Sequence, residues 1–215
     1  EEFMRRGIPK EKLLPFGIPV KPEFYEKLPK QEARKKFCEY YNINFDLSKP
    51  WYMIMSGSMG YGKVHQLVKA IIKLHRTDVN VVIICGTNLK LKNKLDIEYG
   101  NYENVVVCDF CKDIPLLMDA CDVLFTKPGG LSSTEAAVKN IPIIHTAPIP
   151  GCETKNARFY RNRNMSYSSK SIQNQLKAAI RICSDDAYRN RIIQAQTENI
   201  SRNTLDKIYM FLTDL

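Results

Sequence analysis

Residues 105–136 read VVVCDFCKDIPLLMDACDVLFTKPGGLSSTEA, and their punctuation sets the fold class. Val105 opens an apolar run with no polar alternation, which stops at Asp109. Asp113 precedes a short helical stretch, Ile114 to Ala120. A second apolar run, Asp122-Val123-Leu124-Phe125, hands over through a glycine pair to another helix, Leu131 to Lys139. Strands that are apolar on both sides and separated by helices belong to a parallel sheet covered on both faces. Each strand–helix–strand unit then crosses over right-handed.

The same alternation extends outward. WYMIMS from Trp51, VNVVIICG from Val79 and PIIHT from Pro142 read as buried strands, and MSYS from Met165 as a weak edge strand. Lys63 to Arg76 is amphipathic, with Val64, Leu67, Val68, Ile71 and Ile72 on one stripe. Leu89 to Tyr99, Thr154 to Arg163, Ser171 to Cys183, Asp185 to Asn199 and Thr204 to Leu215 also read as helices. Upstream, Glu1 to Gly7 reads as a helix tail, Leu13 to Val20 as extended chain and Lys21 to Pro29 as a linker. Gln31 to Tyr41 resumes as a helix with Ala33, Phe37, Tyr40 and Tyr41 on one face. The expected organisation is the end of a preceding domain and a linker over 1–29, then one Rossmann-like, doubly wound α/β domain over 30–215.

Composition bounds the function. With 215 residues, 44% hydrophobic and 26% charged, the chain is ordinary globular material rather than disordered. Lys and Arg total 32 against 23 Asp and Glu, a net +9 that suits an anionic partner or a basic solvated surface. The basic residues are scattered and lack interleaved aromatic stacking positions, which argues against nucleic acid. No apolar run approaches a membrane span of about 20 residues. Of seven cysteines, Cys85, Cys108 and Cys121 lie in or beside apolar runs and read as buried thiols. Cys108-x-x-Cys111 has no second pair or histidine at metal spacing, which argues against zinc. The odd, scattered set suits a reducing cytosol.

In such sheets ligands bind beyond the carboxyl ends of the strands, so the strand-to-helix turns are the places to search. The first, SGSMGYGK (Ser56 to Lys63), is a glycine loop but not a P-loop, because Val64 replaces the hydroxyl residue. It reads as a tight turn or as backbone N–H groups presented to a phosphate. The Cys108-Asp109-Phe110 turn places an aromatic at a strand end; by itself, packing on the core is the better reading. In TKPGGLSSTEA (Thr126 to Ala136), Ser132-x-x-Glu135 reads as a capping box, which explains those two side chains without a ligand. It leaves Gly129 and Gly130 unexplained, and close approach of an anion is the simplest reason for both. In HTAPIPGCETKNARFY, Glu153 and Asn156 share a helix face, either as polar groups aimed at sugar hydroxyls or as part of a capped surface helix. His145 has no evident partner and reads as a structural histidine.

Taken together, GIPVKPEF, SGSMGYGK, the 105–136 stretch and PIPGCETKNA resemble the C-terminal half of the diacylglycerol glycosyltransferases, the monogalactosyl- and processive glucosyl-diacylglycerol synthases. More distantly the chain is similar to the enzyme that adds N-acetylglucosamine to a lipid-linked muramyl peptide. The resemblance implies the C-terminal, donor-binding domain of a GT-B fold. It implies UDP-glucose or UDP-galactose as donor, no cofactor or metal, and a lipid acceptor held through an N-terminal domain that also carries the catalytic base. It further implies an anionic membrane surface as partner and a place on the cytoplasmic face of the cell membrane. Carried over by position, Phe110 and Cys111 frame the uracil, with Lys21 near it. Gly129, Gly130, Leu131 and Ser132 meet the diphosphate, Glu135 the ribose hydroxyls, and Ser58 the phosphate or acceptor side. Glu153 and Asn156 lie near the donor sugar. Cys152 stands where the family has a glutamine, and a thiol cannot bond two hydroxyls as an amide does. Residues 1–7 become the last helix of the N-terminal domain, and 200–215 a helix that returns to it. Two other readings stay open: a GT-B nucleotide-sugar epimerase, which needs a set of cleft histidines, and a non-catalytic nucleotide-binding module.

Overall fold

The computed structural model describes residues 2–55, 63–111 and 113–214. Six strands form one sheet: β1 (Trp51–Met55), β2 (Asn80–Ile84), β3 (Val105–Cys108), β4 (Val123–Thr126), β5 (Ile143–His145) and β6 (Ser166–Ser168). All are parallel, in the order β3-β2-β1-β4-β5-β6. The connecting helices are α1 (Glu2–Arg5), α2 (Lys30–Tyr41), α3 (Val64–His75), α4 (Leu89–Tyr99) and α5 (Ile114–Ala120). They are followed by α6 (Gly130–Val138), α7 (Cys152–Asn162), α8 (Ile172–Ser184), α9 (Asp186–Asn199) and α10 (Thr204–Thr213). Every strand and helix expected from the sequence is present, with ends displaced by a residue or two.

The apolar strands serve two cores at once. Trp51, Met53 and Met55 of β1 point to a core shared with α2, α5 and α6, while Tyr52 and Ile54 point to one shared with α3, α4 and α8. That is why the strands lack alternation: each successive side chain meets a helical layer. The three buried thiols expected from the sequence are buried, Cys85 and Cys121 deeply. The segment read as a linker also packs down, since Val20 and Phe24 are core residues and Leu28 N donates to Asp119 Oδ2 at 3.1 Å.

The face of α2 differs from expectation. Tyr40 is exposed, and Arg34 takes a place on the buried face. Burial of a guanidinium is tolerated because every part of it is matched. Arg34 Nε donates to Ala120 O at 3.0 Å and Nη2 to Asp122 Oδ2 at 2.6 Å, and the guanidinium lies 5.4 Å over the Trp51 ring. The Asp122 carboxylate also accepts from Trp51 N at 2.7 Å and from Lys30 Nζ at 2.6 Å. One carboxylate thus joins α2 to the starts of the two central strands. Truncating Arg34 to Met leaves Asp122 without its buried partner and should cost about 3 kcal/mol in urea unfolding. A loss below about 1 kcal/mol would show that this cluster is not what holds α2 to the sheet.

Candidate functional site

β1 and β4 are neighbours at the centre, and the chain fans outward from them to β2 and β3 on one side and to β5 and β6 on the other. A crevice opens at such a reversal, beyond the carboxyl ends of the two strands. Met55 and Thr126, their last residues, are register partners there. Ser58 and the rest of the glycine loop, 56–62, lie outside the described residues.

The opposite wall is the start of α6. The expected capping box does not form: the N-cap is Gly129, a turn earlier than the box requires, and no side chain caps the helix. Ser132 is therefore the third residue of the helix rather than its cap. The first bond to the cap runs from Ser133 N to Gly129 O, 3.1 Å. The backbone N–H groups of Gly130, Leu131 and Ser132 have no acceptor among the described residues. Three open donors and the positive end of the helix dipole are together suited to an anion.

The two glycines differ. A Cβ at Gly130 would sit 3.3 Å from Ile18 Cδ1, so packing of the crossing segment accounts for that residue. A Cβ at Gly129 would meet nothing within 4 Å among the described residues, and φ at Gly129 is −69°, which any residue adopts. Among the described residues neither strain nor crowding accounts for Gly129, and the helix end there is open to approach.

Beside this helix end lies a cleft of about 520 Å³ whose walls include Lys21, Tyr40, Met55, Phe110, Cys111 and Glu135. Four residues assigned through the resemblance, far apart in the chain, thus meet in one place. Phe110 is 72% exposed, against the expectation that it packs on the core. The inward positions of that turn are taken by Cys108 and by Cys111, whose Sγ accepts from Tyr41 Oη at 3.2 Å, so the ring between them is left outside. Glu135 is half-buried, and its carboxylate makes no hydrogen bond or ion pair among the described residues. Burial raises its pKa, and the nearby Lys21 charge opposes that rise. Tyr40, opposite Phe110 in the cleft, was missed because at the edge of a helical stripe an aromatic reads as core.

Glu153 and Asn156 share a face of α7, and that face is turned to the Lys127–Gly130 loop. Glu153 Oε1 pairs with Lys127 Nζ at 2.9 Å, and Oε2 accepts from Ile149 N at 2.8 Å. Asn156 Nδ2 donates to Pro128 O at 3.0 Å. The helix begins at Cys152, which is exposed, after Gly151 with φ 110°. These two side chains therefore clamp the proline-rich loop and the approach to α6.

His145 is the structural histidine expected. It is sealed inside, with Nε2 3.0 Å from Ser133 Oγ and Nδ1 3.0 Å from Ser166 Oγ, and burial lowers its pKa to about 3. His65 is held by Glu98 at 2.7 Å, on the surface beside α4. The histidines form no catalytic set in the cleft.

Strand order and crevice make the domain a doubly wound, Rossmann-like parallel sheet. Residues 52–189 match the glycosyltransferase family 28 C-terminal domain, and the chain belongs to that family. It is 31% identical to the processive diacylglycerol beta-glucosyltransferase of Bacillus subtilis over 178 residues, 82% of this chain and 44% of that protein. It is 28% identical over 215 residues to the enzyme of the same name from Staphylococcus haemolyticus, covering 100% of this chain and 52% of that one. The chain thus spans about half the length of these curated relatives. Among solved structures, Anabaena Alr3699/HepE in complex with UDP and glucose superposes with a TM-score of 0.63 at 16% identity, over 93% of this chain and 55% of that one. The Rossmann-like GT-B architecture expected from the sequence is the one observed.

His145 gives the fold a pH dependence. The unfolded side chain takes up a proton near 6.5 and the folded one only near 3, so its contribution is complete above about pH 6.5 and falls as pH drops toward 3. In that window the slope approaches about 1.4 kcal/mol per pH unit for one proton. Unfolding free energies of the wild type and His145→Gln, compared between pH 7 and 4, should converge as pH falls; parallel curves would place the proton uptake elsewhere.

Proposed function

We propose that this chain is the donor-binding half of a glycosyltransferase that moves a hexose from a UDP-sugar to a membrane lipid such as diacylglycerol. The observation that carries the reading is that the exposed ring of Phe110 shares a cleft with Glu135, unpaired among the described residues, on the same helix α6 whose first three backbone donors have no acceptor among those residues. A nucleoside diphosphate fits that set. Its phosphates take the helix N-terminus past Gly129, its ribose hydroxyls donate to Glu135, and its base lies in the cleft between Phe110, Cys111 and Lys21. Charge that develops on the departing UDP is stabilised by the oriented N–H groups and the helix dipole. Glu153 and Asn156, which hold the neighbouring loop, stand on the side where the sugar follows the diphosphate. Ser58, which lies outside the described residues, is assigned in this reading to the phosphate or acceptor side.

Acceptor binding and the catalytic base belong in this reading to a second, N-terminal domain, with residues 1–29 as its end and the link. Its support is an apolar surface. Phe3 and Met4 of α1 and Leu205, Tyr209, Met210 and Leu212 of α10 are exposed, as are Ile8, Leu14 and Ile18 between them. Thr204 Oγ1 donates to Phe16 O at 2.9 Å, and Phe16 meets Phe211 with ring centroids 5.9 Å apart, so the crossing segment and α10 form one unit. An apolar face of this extent suits a packed partner domain. Among the described residues no helix is long and apolar enough to cross a membrane, and the net charge is +9. Contact with an anionic bilayer from the cytoplasmic side is the corresponding proposal for its place in the cell.

UDP titrated into the chain should shift amides at 129–135 and around Phe110. Glu135→Gln should weaken binding about tenfold by loss of charge-assisted bonds to the ribose. Gly129→Val should weaken it more, with little change in stability, because the new side chain enters open space. Calorimetry with denaturation controls measures both. UDP binding with no response at 129–135, or unaffected by Gly129→Val, would remove α6 as the diphosphate site.

A further inference from the structure

The net positive charge has a second focus, remote from the donor cleft. Ser166 is the first residue of β6, so its surroundings lie at the opposite end of the parallel sheet from Thr126, the last residue of β4. A polar cleft of about 500 Å³ opens there between the end of α7, α8 and α9, with Ile192 and Ser166 in its floor. Arg163, Arg181 and Arg191 line it, one from each of three separate segments. Convergence of three arginines on one cavity is unfavourable unless something negative occupies it.

Their guanidinium groups are oriented but scarcely neutralised. Arg163 lies 4.1 Å over the Phe159 ring, Arg181 4.2 Å over Tyr188 and Arg191 5.9 Å over the same ring. Stacking of this kind fixes the planar fork while leaving its N–H groups open. The guanidinium groups of Arg163 and Arg191 make no hydrogen bond or close ion pair among the described residues, and the carboxylate whose charge Arg191 feels, Asp185, is shared with Arg181. Arg181 reaches Asp185 only at 3.4 Å, and Asp185 is engaged as the cap of α9, accepting from Tyr188 N at 2.8 Å. The one acid lining the cleft, Glu198, accepts from Gln194 Nε2 at 2.8 Å. Arg189, by contrast, is paired with Asp186 at 2.8 Å and takes no part.

We propose that this cleft is a second anion site that binds a phosphate group through Arg163, Arg181 and Arg191, independently of the nucleotide. Guanidinium forks match phosphate oxygens in pairs, and a ring-stacked fork loses little freedom on binding. The phosphate comes either from a lipid headgroup or from a free phosphate.

Amide shifts during titration with inorganic phosphate at low ionic strength, referenced to chloride at equal ionic strength, test the site. Residues 163–166 and 188–195 should respond and saturate, and R163Q/R191Q should abolish that response while any response at 129–135 persists. R163K/R191K, which keeps the charge but loses the fork, should bind about tenfold more weakly than wild type. The proposal is overturned if residues 163–166 and 188–195 do not move, if chloride reproduces their shifts, or if R163Q/R191Q leaves them unchanged. Cosedimentation with vesicles of phosphatidylglycerol and phosphatidylcholine, against phosphatidylcholine alone, separates the sources. Selective binding to the anionic vesicles that is lost in R163Q/R191Q assigns the phosphate to a headgroup; saturable phosphate binding without vesicle selectivity assigns it to a free phosphate.

Discussion

The pairing of β1 with β4 is the contact on which the rest of the molecule depends. A parallel ladder holds its strands level, so Tyr52 to Met55 against Val123 to Thr126 brings two strand ends to the same height in the middle of the sheet. The chain reaches β4 only after building β2 and β3 on the other side of β1, which sends α5 and α6 to the opposite face from α3 and α4. Among the described residues no helix covers the seam at the carboxyl ends. The N-terminus of α6 points into the gap that results, and the wall residues of the cleft come from segments that this crossover draws together.

The polar groups of the domain fall into two kinds. One kind is used up inside. Asp122 joins Arg34, Lys30 and Trp51 N, Lys139 pairs with Asp119 at 2.7 Å in full burial, and His145 sits between two serine hydroxyls. Buried charges persist only when matched in this way. The other kind is left open while standing at a surface recess: the first N–H groups of α6, the carboxylate of Glu135, the forks of Arg163 and Arg191. These open groups are the ones assigned above, as proposals, to ligands, and they lie at the two ends of the same sheet.

Much of this was legible in residue patterns. Unbroken apolar strands separated by amphipathic helices are a local property, and each strand and helix lies where its pattern put it. Of the candidate site, the motif resemblance singled out Lys21, Phe110, Cys111 and Glu135, and these four line one cleft. Three local readings differ from the structure, each for a physical reason. Ser132-x-x-Glu135 has the letters of a capping box, yet the helix continues back to Gly129 because a glycine with extended φ and ψ ends it equally well. Tyr40 has the spacing of a core residue, but the buried arc of α2 turned toward Arg34. Phe110 reads locally as a core aromatic, but Cys108 and Cys111 take the inward positions of its turn and leave the ring exposed.

Sequence alone determined the class of fold, the order of elements and the turns where chemistry could sit, because hydrophobic period and turn composition act over a few residues. Only the tertiary structure decided which strands are neighbours, and that among the described residues Gly129 meets nothing while Gly130 faces Ile18, and Glu135 is unpaired whereas Glu153 is held. Those are contacts between residues distant in the chain. They are set by strand order and by the packing of the crossing segment, neither of which is written in any single stretch of residues.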